Sequence, residues 1–349
     1  MSDWDLLVMR DNLRQVELRR NAPKTPLADG EVRLAVERFA LTANNITYGA
    51  MGDSFGYWKF FPAPEGMGRI PVWGFARVTE SEAPDVPVGL RLFGYLPMAT
   101  SFTARLAKGR DGFVDQAEHR AELPPTYNVY AQAPEDDLDD HRALLRPLFM
   151  TSWLLDDFLG EDADLTSVVM SSASSKTGLG LAWFARRRGL EVIGLTSPAN
   201  VATLEETGLF DRVLPYAEAG KLTARGKAAY VDFAGDPKTT AQAHEALGDK
   251  LARSIIVGAT HWDADRTPQS MSGPAPTLFF APDQIRKRAG EWGAGAFDQR
   301  FTQALKAFVA DAAWLKLRQH TGLERLVEAY HEVLEGRARP DEGFIIRPV

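Results

Sequence analysis

The sequence predicts an α/β protein in which a doubly wound parallel-sheet domain is inserted into a β-rich domain. Three observations lead to this prediction. Short alternating apolar runs, separated by Pro and Gly, fill the early part of the chain, short apolar runs then alternate with helix-like stretches, and the final part has mixed character. We therefore expect residues 1–143 and 275–349 to form one discontinuous domain, and residues 144–274 to form the inserted one.

Composition sets the broad class. The chain has 349 residues, of which 45% are apolar, and this is enough for two domains with cores. Its net charge of -7 argues against nucleic acid as a partner. The absence of cysteine excludes disulfides, thiolate catalysis and cysteine-ligated zinc. The chain shows neither a signal-peptide pattern nor a membrane-spanning apolar run, so we expect a cytoplasmic protein without membrane contact.

The early region shows strand patterns. EVRLAVERFAL at residues 31–41 and VGLRLFGYLP at residues 88–97 are short alternating runs of the kind that form strands. With Pro and Gly between such runs, they predict a small irregular β-domain, such as a partly open barrel. The acidic segment APEDDLDDHRA at residues 133–143 is a plausible linker to the next domain.

The inserted region alternates strands with helices. LLRPLFMTSWLLDDFL at residues 144–159 has helical apolar spacing. Five short apolar runs follow, LTSVVMSS, LEVIGLT, DRVLPY, AAYVDFAGD and ARSIIVGAT, with helix-like stretches between them. This order predicts a parallel sheet wound with helices. Near the end, residues 297–317 and 322–336 are amphipathic, and GFIIRPV at residues 343–349 is a possible last strand.

The segment after SVVM resembles a dinucleotide-binding turn between a strand and a helix. The usual G-x-G-x-x-G pattern would fall on Ala173, Ser174, Ser175, Lys176, Thr177 and Gly178. Small residues can replace glycine there, hydroxyls can donate to phosphate, and the lysine adds positive charge. The alternative is a plain strand–turn–helix whose serines cap the helix. A kinase-type P-loop is disfavoured, because Met170 and Ser175 stand where that loop needs glycine.

The end of the second predicted strand indicates which coenzyme would bind. NAD sites place an acidic residue there to hold the ribose 2′-hydroxyl. Here Thr196 and Ser197 follow the strand, so no carboxylate repels a 2′-phosphate. The sequence therefore favours NADP(H), while NAD(H) stays open.

The order of these segments resembles the medium-chain dehydrogenase/reductase superfamily, and is most similar to its zinc-independent quinone-oxidoreductase-like branch. The resemblance covers nearly the whole chain and suggests an uncharacterised family of unknown function related to that branch. Six segments carry it: residues 27–52, 86–97, 149–158, 230–235, 255–260 and 330–348. It implies a GroES-like catalytic domain, a Rossmann-like domain, homodimers, and NADPH-dependent reduction of a carbonyl, quinone or activated alkene without zinc.

The resemblance also implies roles for particular residues. Asn44 and Tyr48 match the branch's asparagine and tyrosine, which line the nicotinamide pocket and would serve as hydrogen-bond donors in catalysis. Tyr216 and Arg337 match residues that reach the adenosine phosphate end of the coenzyme, and Gly258 follows the fifth strand of the nucleotide domain.

Two expectations concern metal and alternative function. We expect no catalytic metal, since cysteine is absent and the six histidines are scattered; His261, after a predicted strand, is a weak candidate for ligand contact. Fold alone does not establish catalysis. A non-catalytic NADPH-binding sensor or structural protein therefore stays open as the alternative to a reductase acting on a small molecule.

Overall fold

The computed structural model describes residues 3–20, 25–110, 112–258 and 271–349. The chain divides into two compact units. The first, called the β-unit below, contains Met1–Leu144, Leu317–Ala338 and Glu342–Val349. The second, called the sheet unit, contains Leu145–Lys316 and Arg339–Asp341.

The β-unit begins with strands that are mostly short. They are β1 (Trp4–Met9), β2 (Val16–Arg20), β3 (Glu31–Leu41), β4 (Met67–Gly68), β5 (Pro71–Ser81), β6 (Arg91–Pro97), β7 (Ser101–Lys108), β8 (Phe113–Asp115) and β9 (Val129–Gln132). The helix α1 (Ala43–Ala50) follows β3, and the long helix α2 (Asp139–Leu159) follows β9. Three short 3₁₀ helices are Tyr57–Lys59, Glu118–Arg120 and Pro125–Asn128.

The sheet unit alternates strands and helices as the pattern predicts. In chain order these are β10 (Ser167–Met170), α3 (Lys176–Arg187), β11 (Glu191–Thr196), α4 (Val201–Glu206), β12 (Arg212–Pro215), β13 (Ala228–Asp232), α5 (Pro237–Leu247), β14 (Leu251–Ile256), β15 (Thr277–Leu278), α6 (Ala281–Trp292) and α7 (Ala294–Asp311). The chain ends with β16 (Lys316–Thr321), α8 (Leu323–Leu334) and β17 (Glu342–Arg347).

Six strands of the β-unit close on themselves as a barrel. The pairings β3–β5, β5–β6, β6–β9, β9–β8 and β8–β7 lead to β7, which pairs back to β3. Val32, Leu34 and Val36 of β3 are buried together because alternate side chains of a strand face the same side. The predicted β-rich domain is confirmed.

All strands of the sheet unit pair in parallel. Their order is β12-β11-β10-β13-β14-β15, which is the 3-2-1-4-5-6 order of a doubly wound sheet. Val168, Val169 and Met170 of the central strand are fully buried, as expected when helices cover both faces. This order confirms the predicted Rossmann-like domain and places its switch point between β10 and β13.

Residues 275–316, which the sequence assigns to the discontinuous β-domain, belong to the sheet unit. Strand β15 lies in this segment and extends the parallel sheet beside β14. The helices that follow β15 attach to the same unit: Gln284 and Arg288 both bond to Asp157 of α2. Among the described residues, no helix has the length and apolar character needed to cross a membrane.

Candidate functional site

The turn between β10 and α3 has an unusual backbone. Ser172 has a φ of 47°, the one left-handed non-glycine conformation among the described residues. Such a conformation costs about 1–2 kcal/mol for a residue with a side chain. The N–H of Ser172 donates to the hydroxyl oxygen of Tyr216 at 3.0 Å. This bond joins the turn to the segment after β12 and holds Ser172 in place.

The helix that follows the turn begins at Lys176. Ser175 is the N-cap of α3, and its hydroxyl accepts the N–H of Gly178 at 3.0 Å. Ser175 therefore acts as the cap that the alternative interpretation foresaw, while the first turn of α3 still has the N–H groups that anions favour. Ser174 and Thr177 lie in the same turn, and the carbonyl of Thr177 accepts the hydroxyl of Ser152.

Gly178 allows a close approach between helix and loop. A Cβ at this position would lie 3.0 Å from the carbonyl oxygen of Ala173 and 3.1 Å from that of Ser172. On the other side of the turn, Ala173 is fully buried and its Cβ packs on Gly194 of β11. The last glycine of the predicted pattern thus lies where the first turn of α3 closely approaches the loop that precedes it.

Gly178→Ala is expected to lower the free energy of unfolding by about 1–3 kcal/mol, because the added methyl meets backbone atoms that cannot rotate away. The control is Gly290→Ala in α6, where a Cβ meets nothing within 4 Å and alanine should stabilise the helix by up to about 1 kcal/mol. Denaturant unfolding measures the free energy of unfolding of both variants. Equal stabilisation by the two substitutions would contradict the close approach.

Two residues at the switch point were not singled out from the sequence. Ser171 follows β10 and Asp232 ends β13, and the Ser171 hydroxyl donates to Asp232 at 2.6 Å. The Asp232 carboxylate also accepts the N–H groups of Ala234 and Gly235 and the hydroxyl of Thr240. Strand order would have revealed this pair, because the switch point brings the ends of these two strands together.

Tyr216 is positioned at this edge by its bond to Ser172. Burial raises the pKa of Tyr216 to about 12, although the Ser172 hydrogen bonds act in the opposite direction. The phenol therefore stays neutral near pH 7 and its oxygen remains an acceptor. The structure brings Tyr216 to the turn through a hydrogen bond from the backbone N–H of Ser172. Its predicted contact with coenzyme stays a prediction.

Lys176 opens α3 and its ammonium donates to the carbonyl of Pro340 at 2.8 Å. This bond lies within the sheet unit, because residues 339–341 belong to it. The lysine adds positive charge at the first turn of the helix, where an anion is favoured. Its role toward a coenzyme stays a prediction.

The end of β11 is polar without being acidic. The hydroxyl oxygen of Thr196 is buried and has no hydrogen-bond partner among the described residues. Ser197 follows, and its hydroxyl accepts the side-chain N–H of Asn200 at 3.0 Å. The first positions after the strand thus have hydroxyl groups where an NAD site would have a carboxylate.

The other residues predicted to contact the coenzyme or another ligand are far apart in the sequence. The N–H of Gly258 approaches the carbonyl of Asp232 at 3.4 Å, so Gly258 lies at the same edge of the sheet as the turn. Arg337 is exposed in the β-unit and pairs with Glu335 at 2.7 Å. His261 lies outside the described residues. The roles of Gly258 and Arg337 stay predictions.

The two proposed catalytic residues lie on α1 of the β-unit. Asn44 and Tyr48 are four residues apart, so they share a helix face, and the Asn44 side chain lies near enough to lower the pKa of the Tyr48 phenol. The neighbouring Asn45 is committed to structure: its oxygen accepts the N–H of Thr42 and its amide donates to Pro71. The roles of Asn44 and Tyr48 in catalysis stay predictions.

Tyr48 belongs to a cluster of aromatic rings that come from several separate segments of the β-unit. The aromatic cluster consists of Tyr48, Tyr57, Phe60, Phe61, Trp73, Tyr95, Phe102 and Tyr127. The ring of Tyr48 lies 4.6 Å from that of Tyr57 and 5.5 Å from that of Tyr95. Trp73 donates its indole N–H to the Tyr48 hydroxyl at 3.3 Å. Burial raises the pKa of Tyr48 well above its ordinary value, so Tyr48 is a protonated donor at neutral pH.

All eight tyrosines of the chain have raised pKa values, mainly because of burial. A phenol whose pKa is higher in the folded state stabilises the fold below its ordinary value of 10.0, and this stabilisation is lost as pH rises above that value. In a titration to alkaline pH, we expect tyrosinate absorbance to appear together with the loss of the circular dichroism signal of the folded protein. Ionisation of several tyrosines near pH 10 in a still folded protein would contradict this packing.

A family model described as a protein of unknown function (DUF2855) matches residues 39–339. No curated protein matches the chain. Within the described residues, no three acidic or histidine side chains are grouped to hold a metal ion.

Solved structures share the fold along the whole chain. CurA from Vibrio vulnificus in complex with NADPH has a TM-score of 0.68 at 16% identity, covering 99% of both chains. Mycobacterial Rv1454c complexed with NADPH has a TM-score of 0.59 at 17% identity, covering 99% of this chain and 100% of that one. A Mesorhizobium loti protein assigned as an NADPH:quinone reductase has a TM-score of 0.65 at 15% identity, covering 99% of this chain and 98% of that one.

These similarities confirm the resemblance that the sequence suggested, at the level of fold. The chain belongs to the DUF2855 family of proteins of unknown function, and it has the fold of the quinone-oxidoreductase-like medium-chain dehydrogenase/reductases.

Proposed function

We propose that the protein is an NADPH-dependent, zinc-independent reductase of a carbonyl, quinone or activated alkene. The observation that carries this proposal is the turn between β10 and α3, which stands at the switch point of the doubly wound sheet. Ligands of such sheets bind at the carboxyl ends of the strands at this point. We assign the pyrophosphate of the coenzyme to residues 173–178.

The residues at this edge suit NADPH chemically. Gly178 leaves no room for a side chain between α3 and its loop, as in dinucleotide sites, and Lys176 adds positive charge at the helix start. Thr196 offers a buried hydroxyl without a partner, and Ser197 follows it. Since neither residue repels a 2′-phosphate, we assign that end of NADPH to them and further contacts to Tyr216, Gly258 and Arg337.

The β-unit supplies the proton donor. NADPH provides a hydride when bound, and negative charge then develops on the substrate oxygen. Hydrogen-bond donors stabilise such an oxyanion most when they are fixed in a dry environment. Asn44 and Tyr48 form such a pair on α1, with Tyr48 only 6% exposed. Burial raises the pKa of Tyr48, so the phenol is protonated at neutral pH, and it can give its proton to an alkoxide because the alkoxide is the stronger base.

The structural neighbours support this choice of coenzyme. Two were solved with NADPH, and a third is assigned as an NADPH:quinone reductase. The absence of cysteine supports a reaction without cysteine-ligated zinc. The alternative function, a non-catalytic NADPH-binding protein, predicts the same coenzyme binding and differs only in predicting no turnover.

A fluorescence titration of NADPH, followed by assays with quinones, enones and aldehydes, tests the proposal. We expect saturable NADPH binding and turnover of at least one substrate class, unaffected by a chelator. Binding with no turnover of any class would support the non-catalytic alternative instead. No binding of NADPH or NADH at millimolar concentration would overturn both.

We further propose a homodimer. In the described residues, β15 is the edge strand of the parallel sheet, and its Leu278 is 72% exposed. Phe280 follows and is 52% exposed. Exposed apolar side chains on an unpaired strand edge favour pairing with a second chain. Light scattering of the purified protein should give twice the chain mass; the mass of one chain would contradict the proposal.

A further inference from the structure

We propose that Trp73 is a positioning residue for the reaction: its indole N–H holds the oxygen of the Tyr48 phenol and so leaves the phenol proton for the substrate. The same hydrogen bond stabilises the phenolate that remains once the proton has been given. This inference rests on the proposed function. It adds a residue that lies 25 positions from Tyr48 in the chain and that acts on the reaction through Tyr48.

The hydrogen bond between Trp73 and Tyr48 joins two side chains of the aromatic cluster. The indole N–H donates to the phenol oxygen, and the nitrogen and oxygen atoms are 3.3 Å apart. An indole N–H can donate but cannot accept, so the phenol proton does not point toward Trp73. The bond therefore orients the Tyr48 hydroxyl, whose oxygen faces the indole while its proton is directed toward another acceptor.

Trp73 is held in place by its strand and by neighbouring rings. On β5 it lies opposite Tyr95 of β6 and Ala40 of β3. Its ring stacks on that of Phe93 at 5.9 Å with an interplanar angle of 21°, and it lies 5.1 Å from the ring of Tyr95. A donor that is fixed before the reaction costs no reorganisation when charge develops on its partner. The surroundings of Trp73 therefore suit it to hold a hydroxyl in one orientation.

Burial and hydrogen bonding act on the Tyr48 phenol in opposite directions. Burial is the main cause of its raised pKa, and the nearby Tyr57 raises the pKa further. Of the groups that lower the pKa, Trp73 has the largest effect. A hydrogen bond to an ionised acceptor is stronger than one to a neutral acceptor, so the Trp73 N–H stabilises the phenolate more than the phenol. Trp73 thus makes a buried phenol a better acid without exposing it to water.

The other titratable groups of the cluster are also phenols. The ring of Tyr48 lies 4.6, 5.5 and 6.4 Å from three other tyrosine rings, which are those of Tyr57, Tyr95 and Tyr127. Burial is the main cause of the raised pKa of all three, and the positive charge of Arg120 opposes it at Tyr95. The three phenols are neutral near pH 7, so they add no charge beside Tyr48 there.

The proton transfer can be written with atoms and charges balanced. For a carbonyl substrate, the carbon receives a hydride from NADPH and the oxygen receives the proton of Tyr48, so the products are NADP⁺ and an alcohol. The Tyr48 phenolate then takes a proton from solvent, and one proton is consumed for each hydride transferred. The N–H of Trp73 is kept throughout, and its bond to Tyr48 is strongest while the phenolate exists.

Ionisation of residue 48 tests the inference without substrate or coenzyme. A trifluorinated tyrosine, whose phenol is more acidic, is placed at position 48, and its pKa is measured by absorbance. Trp73→Phe should raise this pKa by about one, the value of one lost hydrogen bond to a phenolate. If Trp73 only filled space, the smaller ring would admit water and lower the pKa instead. A lower or unchanged pKa in Trp73→Phe would therefore overturn the inference.

Phe93→Leu is the matched control, because it removes the ring that stacks on Trp73 and keeps the indole N–H. It should not raise the pKa of residue 48, and equal rises in the two variants would overturn the inference. Circular dichroism shows whether each variant is folded.

A second measurement leaves Trp73 intact, in case Trp73→Phe does not fold. In protein with isotope-labelled tryptophan, Tyr48→Phe should shift the indole N–H resonance of Trp73. Tyr95→Phe should leave this resonance in place, because the Tyr95 hydroxyl has no hydrogen-bond partner among the described residues. A resonance that neither substitution shifts, or that both shift equally, would overturn the inference.

Turnover separates this inference from the proposed function. With an accepted substrate, Trp73→Phe should lower kcat by about tenfold at unchanged KM, as expected when an interaction made in the transition state is lost. The trifluorinated tyrosine should restore part of this loss, since a more acidic phenol needs less stabilisation. An unchanged kcat would overturn the positioning role and leave the reductase intact. If no substrate is turned over, the proposed function fails, and the titration at position 48 still decides whether Trp73 holds the phenol.

Discussion

Tyr48→Phe is expected to lower kcat of the reduction by about 100-fold or more, the usual effect of losing a positioned general acid. The substitution keeps the ring, which packs against Tyr57 and Tyr95, and removes only the hydroxyl that Trp73 holds in place. The dissociation constant of NADPH should not change, because the coenzyme phosphates are assigned to the sheet unit. Steady-state kinetics and fluorescence titration measure the two quantities.

A matched substitution separates chemistry from stability. Tyr330 is also fully buried, and its hydroxyl donates to the carbonyl of Leu13 at 2.7 Å. Tyr330→Phe should lower the free energy of unfolding by about 1 kcal/mol and leave kcat unchanged. If Tyr48→Phe retains full kcat, or if both variants lose activity equally, Tyr48 is not the proton donor.

Asp232→Ala is expected to lower the free energy of unfolding by about 3 kcal/mol or more. The substitution leaves the Ser171 and Thr240 hydroxyls and the N–H of Gly235 without their acceptor, while the N–H of Ala234 keeps its second acceptor, the Ser171 hydroxyl. Each buried donor left without a partner costs about 1–3 kcal/mol. Because these groups join the ends of β10 and β13, NADPH binding should weaken as well. Denaturant unfolding and coenzyme titration give the two values.

Asp232→Asn is the control for this prediction. Asparagine keeps one acceptor oxygen for Ser171 and the two N–H groups, and its amide can donate to the Thr240 hydroxyl that the carboxylate now accepts. Asp232→Asn should therefore lower the free energy of unfolding much less than Asp232→Ala does. If asparagine and alanine destabilise equally, the negative charge matters more than the hydrogen bonds. If neither destabilises, the switch-point network does not join the two strands.

Local sequence patterns are sufficient to predict much of the fold. The alternation of β3 predicted a strand with one buried face, and the short apolar runs of the inserted region predicted its parallel strands. The turn at residues 173–178 also followed from sequence, because capping by Ser175 and close packing at Gly178 depend on neighbours in the chain. These features share one property: their physical causes lie within a few residues.

The features that sequence missed depend on distant partners. Ser171 and Asp232 are 61 residues apart, and only strand order makes them neighbours. Tyr127 lies 70 residues from Tyr57, whose hydroxyl it approaches. Residues 275–316 were assigned to the wrong unit because β15 has only two residues, too few for a visible pattern, while the helices after it are held by contacts to α2.

The most direct test of the central claim is a crystal structure of the protein grown with NADPH. We expect pyrophosphate oxygens within hydrogen-bond distance of the backbone N–H groups at the start of α3, beside Gly178, and the 2′-phosphate beside Ser197. A coenzyme bound elsewhere on the chain, or an acidic side chain holding its 2′-ribose oxygen, would contradict it.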